Sequence, residues 1–459
     1  MDVSARFMLC CERTGNTAVE KKDHVGRRLW NAVLKLDPMH WYCIASIVCV
    51  IALLGCFLAT RGELISHYFF YDKLDTGMDF FNSMEYVRGR VPYTVYGTLY
   101  PPLANLIFFA LYLFVPVEYA ERWPVNFSES VVIRGTSMDL RVHQASLLIF
   151  IVFFILSAIM LFALIDYALG KRGTGKAKLT ALCMIVSYGC LMAVERGNIS
   201  ILAAGLGLVF VLFYDSDNKI FREIALLSLA FSAGIKLYPA VWGVMLLAEK
   251  DWKAAVRAVI YGVAALVLPM LAFEGFSAFS IFIGKTSSFG SSKALSWKGT
   301  GIAEIFNNIS RAIAGVVGRE AVGGTFTAAV LAGCLLLVAS CFFLPKRWQR
   351  CFAATLCMVM FRSQGSYCLI MFVVPLTLFF REESQMNRKI LLPFLGLMLL
   401  TVNIPAFSDR YTHDARNTIT QIALAASALW CIYASVREIV IKRRGAACVQ
   451  TQQSDQADC

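Results

Sequence analysis

Apolar and polar positions in this chain alternate on the scale of whole segments rather than single turns. Runs near Trp41–Thr60, His143–Leu169, Lys178–Val194, Ile199–Tyr214, Glu223–Leu247, Ala254–Phe273, Thr327–Leu344, Ile390–Ile404 and Thr418–Val436 read as helices that cross or enter a bilayer. A hydrocarbon core of about 30 Å needs roughly 20 residues at 1.5 Å each. Two further runs are interrupted. Leu99–Val117 opens on Tyr100-Pro101-Pro102-Leu103, and Cys351–Phe380 is broken by Phe361-Arg362-Ser363-Gln364-Gly365-Ser366. Proline cannot sit inside a regular helix, so the pattern predicts an all-α polytopic bundle with broken or re-entrant helices.

Charge sets the expected topology. Gly170–Lys178 carries Lys171, Arg172, Lys176 and Lys178 without an acid, Pro345–Arg350 carries Lys346, Arg347 and Arg350, and Arg437–Arg444 holds four basic residues. Such tracts stay on the cytoplasmic side. The first 40 residues are polar and mixed in charge, with no cleavable signal peptide, so both tails are expected there as well. An even number of crossings must then precede residue 170, and the Tyr-Pro-Pro run is the one expected not to cross. The same count makes Cys351–Phe380 a pair of short helices with its tip at Arg362–Ser366. Lys236–Pro239 is either another such tip or a kink in a full crossing. The layout is a tail over 1–40, a membrane domain over 41–436 with large outer loops at 61–142 and 274–326, and a tail over 437–459.

Composition agrees. At 58% hydrophobic and 16% charged the chain is too apolar for a soluble domain. A net charge of +12 would suit nucleic acid, but the cations sit in short tracts between apolar runs, so no nucleic-acid partner is expected. None of the 15 cysteines falls in an outer loop, which makes them small core residues rather than disulfides or a zinc site.

Two residues stand out chemically. Lys236 puts an ammonium inside an apolar run, directly before Leu237-Tyr238-Pro239, and such a cation normally faces an aqueous cavity or an anion. Asp79 opens a segment in which Phe80, Met84 and Val87 recur at helical spacing, ended by Gly89 and Pro92. This is an amphipathic helix expected at the outer leaflet. Asp79 could serve there as a general base or simply as the helix N-cap.

The order Asp79, Gly89, Tyr93, Tyr100-Pro101-Pro102-Leu103, Arg196-Gly197-Asn198 and Gly234-Ile235-Lys236-Leu237-Tyr238-Pro239 resembles glycosyltransferase family 87 of the GT-C superfamily. The resemblance covers about residues 40–440 and implies an inverting transfer on the extracytoplasmic face of the cytoplasmic membrane. The donor would be a polyprenyl-phosphate sugar, mannose by family frequency, and the acceptor a lipid or glycan. Asp79 would be the base, with Asp72 and Asp75 in reserve. Lys236 would hold the donor phosphate, helped by Arg196 and Arg362, while Tyr100, Asn198, Tyr238 and Trp297 would line the substrates. Arg196 also has a plainer reading, an ion pair with Glu195 that ends a helix. The chain departs from the family where Arg196-Gly197-Asn198 replaces Gly-Gln-Asn-like residues, and where Phe361–Tyr367 replaces a Ser-Pro motif.

No cofactor is expected. Asp72, Asp75 and Asp79 could bind a divalent ion, but they form no tight Asp-x-Asp pair and have only His67 nearby, so metal-independent transfer is favoured. Gly275–Arg319, rich in serine and glycine around Trp297, is either a lid over the acceptor or a mobile connector. Asn126, Asn198 and Asn308 each begin an N-x-Ser sequence and are candidate glycan acceptors. A secondary transporter also uses broken helices and midplane charge, and is the alternative. The absence of an internal repeat, the large polar outer loops and an acid on a surface helix argue against it.

Overall fold

The structure is a computed structural model that describes residues 37–70, 75–116, 139–292, 319–360, 365–406 and 412–457. Among these residues it is all α-helix with short 3-10 segments and no strand. Helix starts follow local chemistry. Asp37, Asn218, Asp251 and Asn387 each accept a backbone N–H of the turn they cap, the usual role of these residue types.

In chain order the helices are α1 (Pro38–Ala59), α2 (Glu63–Phe69), α3 (Met78–Arg88), α4 (Pro102–Tyr112), α5 (Gln144–Leu169), α6 (Thr174–Ile185), α7 (Tyr188–Arg196), α8 (Ser200–Phe213), α9 (Lys219–Ile235), α10 (Val244–Ala248), α11 (Trp252–Val267), α12 (Ser277–Ser292), α13 (Arg319–Phe343), α14 (Arg347–Met360), α15 (Val373–Glu382), α16 (Arg388–Thr401) and α17 (Thr412–Ala457). By length and apolarity Pro38–Ala59, Gln144–Arg172, Trp252–Ala272 and Ala415–Arg444 each suffice to cross a membrane, and α6 with α7, bent by 46°, is either a fifth, broken span or a re-entrant loop. Their outward faces are apolar, as at Leu58, Leu156, Val259 and Leu429. Lipid is the medium such faces require.

Ion pairs gather the ends of many helices on one face. Arg172 binds Asp37 and donates to the carbonyls of Phe380 and Glu383. Glu383 takes Lys346, Arg347 pairs with Asp215, Arg350 with Glu249, and Arg222 with Asp251. The tracts 170–178 and 345–350 therefore share a side, as the charge pattern requires. Consequently the run from α9 to α10 starts and ends at the same face, with its turn at Lys236–Pro239. It is a re-entrant hairpin, not a kinked crossing. A second hairpin runs from α14 to α15, closed at its base where Trp348 donates to Glu383 Oε1 at 2.8 Å. The two hairpins interlock, since Trp242 Nε1 donates to Thr355 Oγ1 at 3.0 Å and a Cβ at Gly207 of α8 would overlap the Trp242 ring.

Three segments differ from the expected bounds. α4 has 11 residues, about 16 Å at 1.5 Å per residue, and cannot span; Pro101 and Pro102 start it rather than break it, because a proline at the first turn lacks only an unused donor. α17 does not stop at Val436 but continues to Ala457, there being no proline to end it. Ser277–Ser292, expected as loop, is helical.

α3 stands where its periodicity placed it, and protein rather than lipid covers its apolar side. Phe80 packs among Phe108, Phe150, Phe153 and Phe154, and Phe81 stacks on Phe150. Buried Arg416 of α17 lies 4.5 Å from the Tyr188 ring centroid and donates to the carbonyls of Leu399 and Val402. It satisfies the open C-terminal end of α16, where a cation is favoured.

Candidate active site

The site is built where the first turn of α3 meets the turn between α7 and α8. Gly77, not Asp79, caps α3, and its N–H donates to Glu195 O at 2.7 Å. Across this contact Gly197 has φ +69°, and a Cβ on it would lie 2.8 Å from Phe80 Cβ and 2.9 Å from Gly77 O. Only glycine combines that conformation with that approach. The close fit carries Asn198 to Asp79, whose Oδ2 accepts from Asn198 Nδ2 at 2.5 Å. Lying inside the first turn, the Asp79 carboxylate is also favoured by the helix dipole.

Asn198 is held in turn. Its Oδ1 accepts from Ser200 N at 3.1 Å and Ser200 Oγ at 2.5 Å, and Ser200 Oγ lies 3.2 Å from the Tyr238 hydroxyl. A continuous chain of side chains thus joins Asp79 to the α9–α10 hairpin through Asn198, Ser200 and Tyr238. Asn198 is 1% exposed. That burial removes it as a glycan acceptor; Asn126 and Asn308 lie outside the described residues.

Lys236 ends α9, its backbone extended at φ −139° and ψ 127° just before Pro239. Its ammonium sits 4.1 Å from the Tyr100 ring centroid and 5.6 Å from that of Tyr367. Aromatic faces stabilise a desolvated cation without neutralising it. Lys236 forms no ion pair among the described residues, and Asp79 is near enough to act on it coulombically. The tip of the second hairpin contributes Tyr367, and Cys368 Sγ lies 3.8 Å from the Tyr238 hydroxyl.

Tyr100 is fixed from behind. Its carbonyl accepts from Tyr93 Oη at 3.2 Å and Asn105 Nδ2 at 3.4 Å, while Asn105 also donates to Tyr93 Oη at 2.8 Å. Glu274 anchors the outer end of this loop through the N–H groups of Tyr93 and Thr94, at 3.2 and 2.7 Å. Leu103 fills the space a side chain on Gly234 would need, 2.9 Å from the position of a Cβ. The Tyr-Pro-Pro-Leu and Gly-Ile-Lys-Leu-Tyr-Pro segments therefore touch. The Tyr100 hydroxyl is buried without a partner among the described residues, a group that a bound ligand could satisfy.

Arg196 is placed differently. Its guanidinium binds Asp75 and, at 3.3 Å, Glu195, whose other oxygen accepts from Thr76 at 2.8 Å. Two carboxylates already balance its charge, which is the helix-ending ion pair, extended to Asp75, rather than an open anion contact. Asp75 is thereby engaged too. Arg362, Trp297 and Asp72 lie outside the described residues.

The profile of glycosyltransferase family 87 matches residues 139–374, just over half of the chain. The chain belongs to glycosyltransferase family 87. With its apolar helices, this family-87 chain is a membrane glycosyltransferase. No curated protein matches it. The matched stretch holds Arg196–Asn198, Lys236–Pro239 and the second hairpin as far as the start of α15; Asp79, Tyr93 and Tyr100 precede it and join the site through tertiary contact.

Several residues around this candidate site were not singled out for it in the sequence: Ser200, Tyr367, Asn105, Glu274 and Tyr86. Only Ser200 had a local signal, two positions after Asn198. Burial, with the carboxylates of Asp79 and Asp75 nearby, pushes the Tyr86 hydroxyl up to about 12. It remains a hydrogen-bond donor at neutral pH.

Proposed function

We propose that the chain transfers a sugar, mannose in the first instance, from a polyprenyl-phosphate donor to a lipid or glycan acceptor with inversion at the anomeric carbon. The observation that carries this reading is the pairing within one site of a fixed carboxylate, Asp79, and an aromatic-framed ammonium, Lys236, that has no carboxylate of its own among the described residues. Asp79 takes the proton of the acceptor hydroxyl as its oxygen attacks the anomeric carbon. The bond from that carbon to the phosphate oxygen breaks with its electron pair, and Lys236 stabilises the charge gathering on the departing phosphate. Asn198 keeps the carboxylate aimed, and the Tyr100 hydroxyl is available to a sugar or phosphate oxygen.

An apolar groove of about 630 Å³ supports a polyprenyl donor. It opens between α4, α5 and α8, lined by Leu111, Leu148, Val152, Phe153 and Leu202, and Leu202 lies two residues from Ser200. The basic ion-pair face supports cytoplasmic tails and an extracytoplasmic site. In this reading 41–436 is the catalytic domain, flanked by the tails 1–40 and 437–459.

The test supplies purified protein in liposomes with radiolabelled polyprenyl-phosphate mannose, the same carrier with other sugars, or a nucleoside-diphosphate mannose, together with a membrane lipid extract. Product from a lipid-linked donor alone is expected. Product from the nucleotide donor alone refutes the donor assignment, and sugar uptake without any product establishes transport instead.

A further inference from the structure

A large cleft lies at the other end of the molecule, on the basic face, and has no part in the site above. It encloses about 1090 Å³ between the α13–α14 turn, the start of α16 and the middle of α17. Four cations from three segments line it, Lys346, Arg388, Lys389 and Arg437, against one acid, Glu438. Lys346 is held by Glu383 at 2.5 Å. Arg388, Lys389 and Arg437 have no ion-pair partner among the described residues. Asn387 caps α16 through its side chain, so the positive end of that helix also faces the cleft.

The remaining wall is apolar and exposed, on the stretch Ala415–Arg444 that is long and apolar enough to cross a membrane. Leu429 and Tyr433 are 68% and 66% exposed, and Trp430 is braced against Trp348, their rings nearly parallel at 5.7 Å. A soluble anion has no use for such a wall. A phospholipid matches both parts, with its phosphate among the unpaired cations and its acyl chains along Leu392, Leu429 and Tyr433. We infer that this cleft is a binding site for the headgroup and first chain segments of an anionic phospholipid of the leaflet on the basic face.

The experiment uses full-length protein in non-denaturing detergent with phosphatidylglycerol or phosphatidylcholine, the retained lipid being counted by native mass spectrometry. Phosphatidylglycerol is expected to be retained over phosphatidylcholine by tenfold or more on the order of the attraction that three basic residues provide. The Arg388→Gln/Lys389→Gln/Arg437→Gln variant should lose that preference. Leu429→Ser/Tyr433→Ser should lower retention of phosphatidylglycerol, and excess inorganic phosphate should displace it only weakly. Equal retention of the two lipids, or an unchanged preference in the triple variant, overturns the inference; full displacement by phosphate with no effect of the apolar variant makes it a soluble-anion site and overturns the lipid assignment. Should the triple variant not fold, rising salt on the wild type substitutes for it: a preference insensitive to salt overturns the inference.

Discussion

Gly197→Ala tests whether the backbone contact between α3 and the α7–α8 turn sets the site. Alanine at φ +69° costs about 1–2 kcal/mol for the left-handed conformation alone. Its Cβ would also stand 2.8 Å from Phe80 Cβ and 2.9 Å from Gly77 O, one a packed core atom and the other backbone, so neither can simply rotate away. Overpacking of this kind adds about 1–3 kcal/mol. The expected loss is thus about 2–5 kcal/mol of stability, relieved in part if α3 backs away from Asn198. Because Asp79 rides on the first turn of α3, that retreat stretches its 2.5 Å bond to Asn198, and an ångström of misplacement at a reacting group costs on the order of a hundredfold in rate. The assay pairs thermal unfolding in detergent with sugar transfer measured below the variant's unfolding temperature. Gly262→Ala, inside α11 where a Cβ meets nothing within 4 Å, is the control; it should leave the rate unchanged and cost no stability, because alanine is favoured over glycine in a helix interior by about 1 kcal/mol. Wild-type stability and rate in Gly197→Ala would refute the reasoning; lost stability with a wild-type rate would separate the contact from the chemistry.

Asp79→Asn keeps an acceptor for the Asn198 amide and removes the base, so transfer should fall by about 10²–10⁴-fold with the unfolding temperature little changed; a rate within a few-fold of wild type would dismiss Asp79. Lys236→Gln should lower kcat more than it raises KM, because the phosphate gains charge only as it leaves, and a change confined to KM would reassign Lys236 to ground-state binding. Glu274→Gln should act at a distance, loosening the Tyr93–Thr94 loop and raising KM several-fold, since a carboxylate bond to backbone N–H is about twice as strong as a neutral one; an unchanged KM shows that the loop holds without it. For Asp37, burial raises the carboxyl pKa, but Lys176, the Met39 N–H and Arg172 outweigh it and hold the group below its ordinary value of 3.8. A depressed folded pKa means that the stabilisation is full above the ordinary value and is lost as pH falls through the folded one. The gap in unfolding temperature between wild type and Asp37→Asn, which keeps a capping oxygen, should therefore be constant at neutral pH and close in acid below 3.8; a gap that does not close refutes its assignment to the carboxylate's charge.

The sequence by itself determined that the chain is a bundle of apolar helices and that the basic tracts 170–178 and 345–350 lie together on one face. Apolar runs need only length and a bilayer, and basic tracts report their side without any knowledge of packing. These are local properties, and Lys236 was legible for the same reason, as a charge in the wrong medium. What lay beyond local rules were the contacts between segments distant in sequence. The periodicity of α3 could not reveal that protein, not lipid, would cover Phe80, nor that Gly77 would cap the helix and free Asp79 for Asn198. Arg196 read equally as phosphate ligand or ion pair, and only the tertiary structure sets Asp75 beside it. Whether Lys236 marked a kink or a tip depended on whether Arg222 meets Asp251, a fact of tertiary structure. The aromatic frame of Tyr100 and Tyr367 joins residues from two segments far apart in the chain, and no spacing rule connects them. Pattern records what each residue needs from its surroundings; the fold alone determines which residue supplies it.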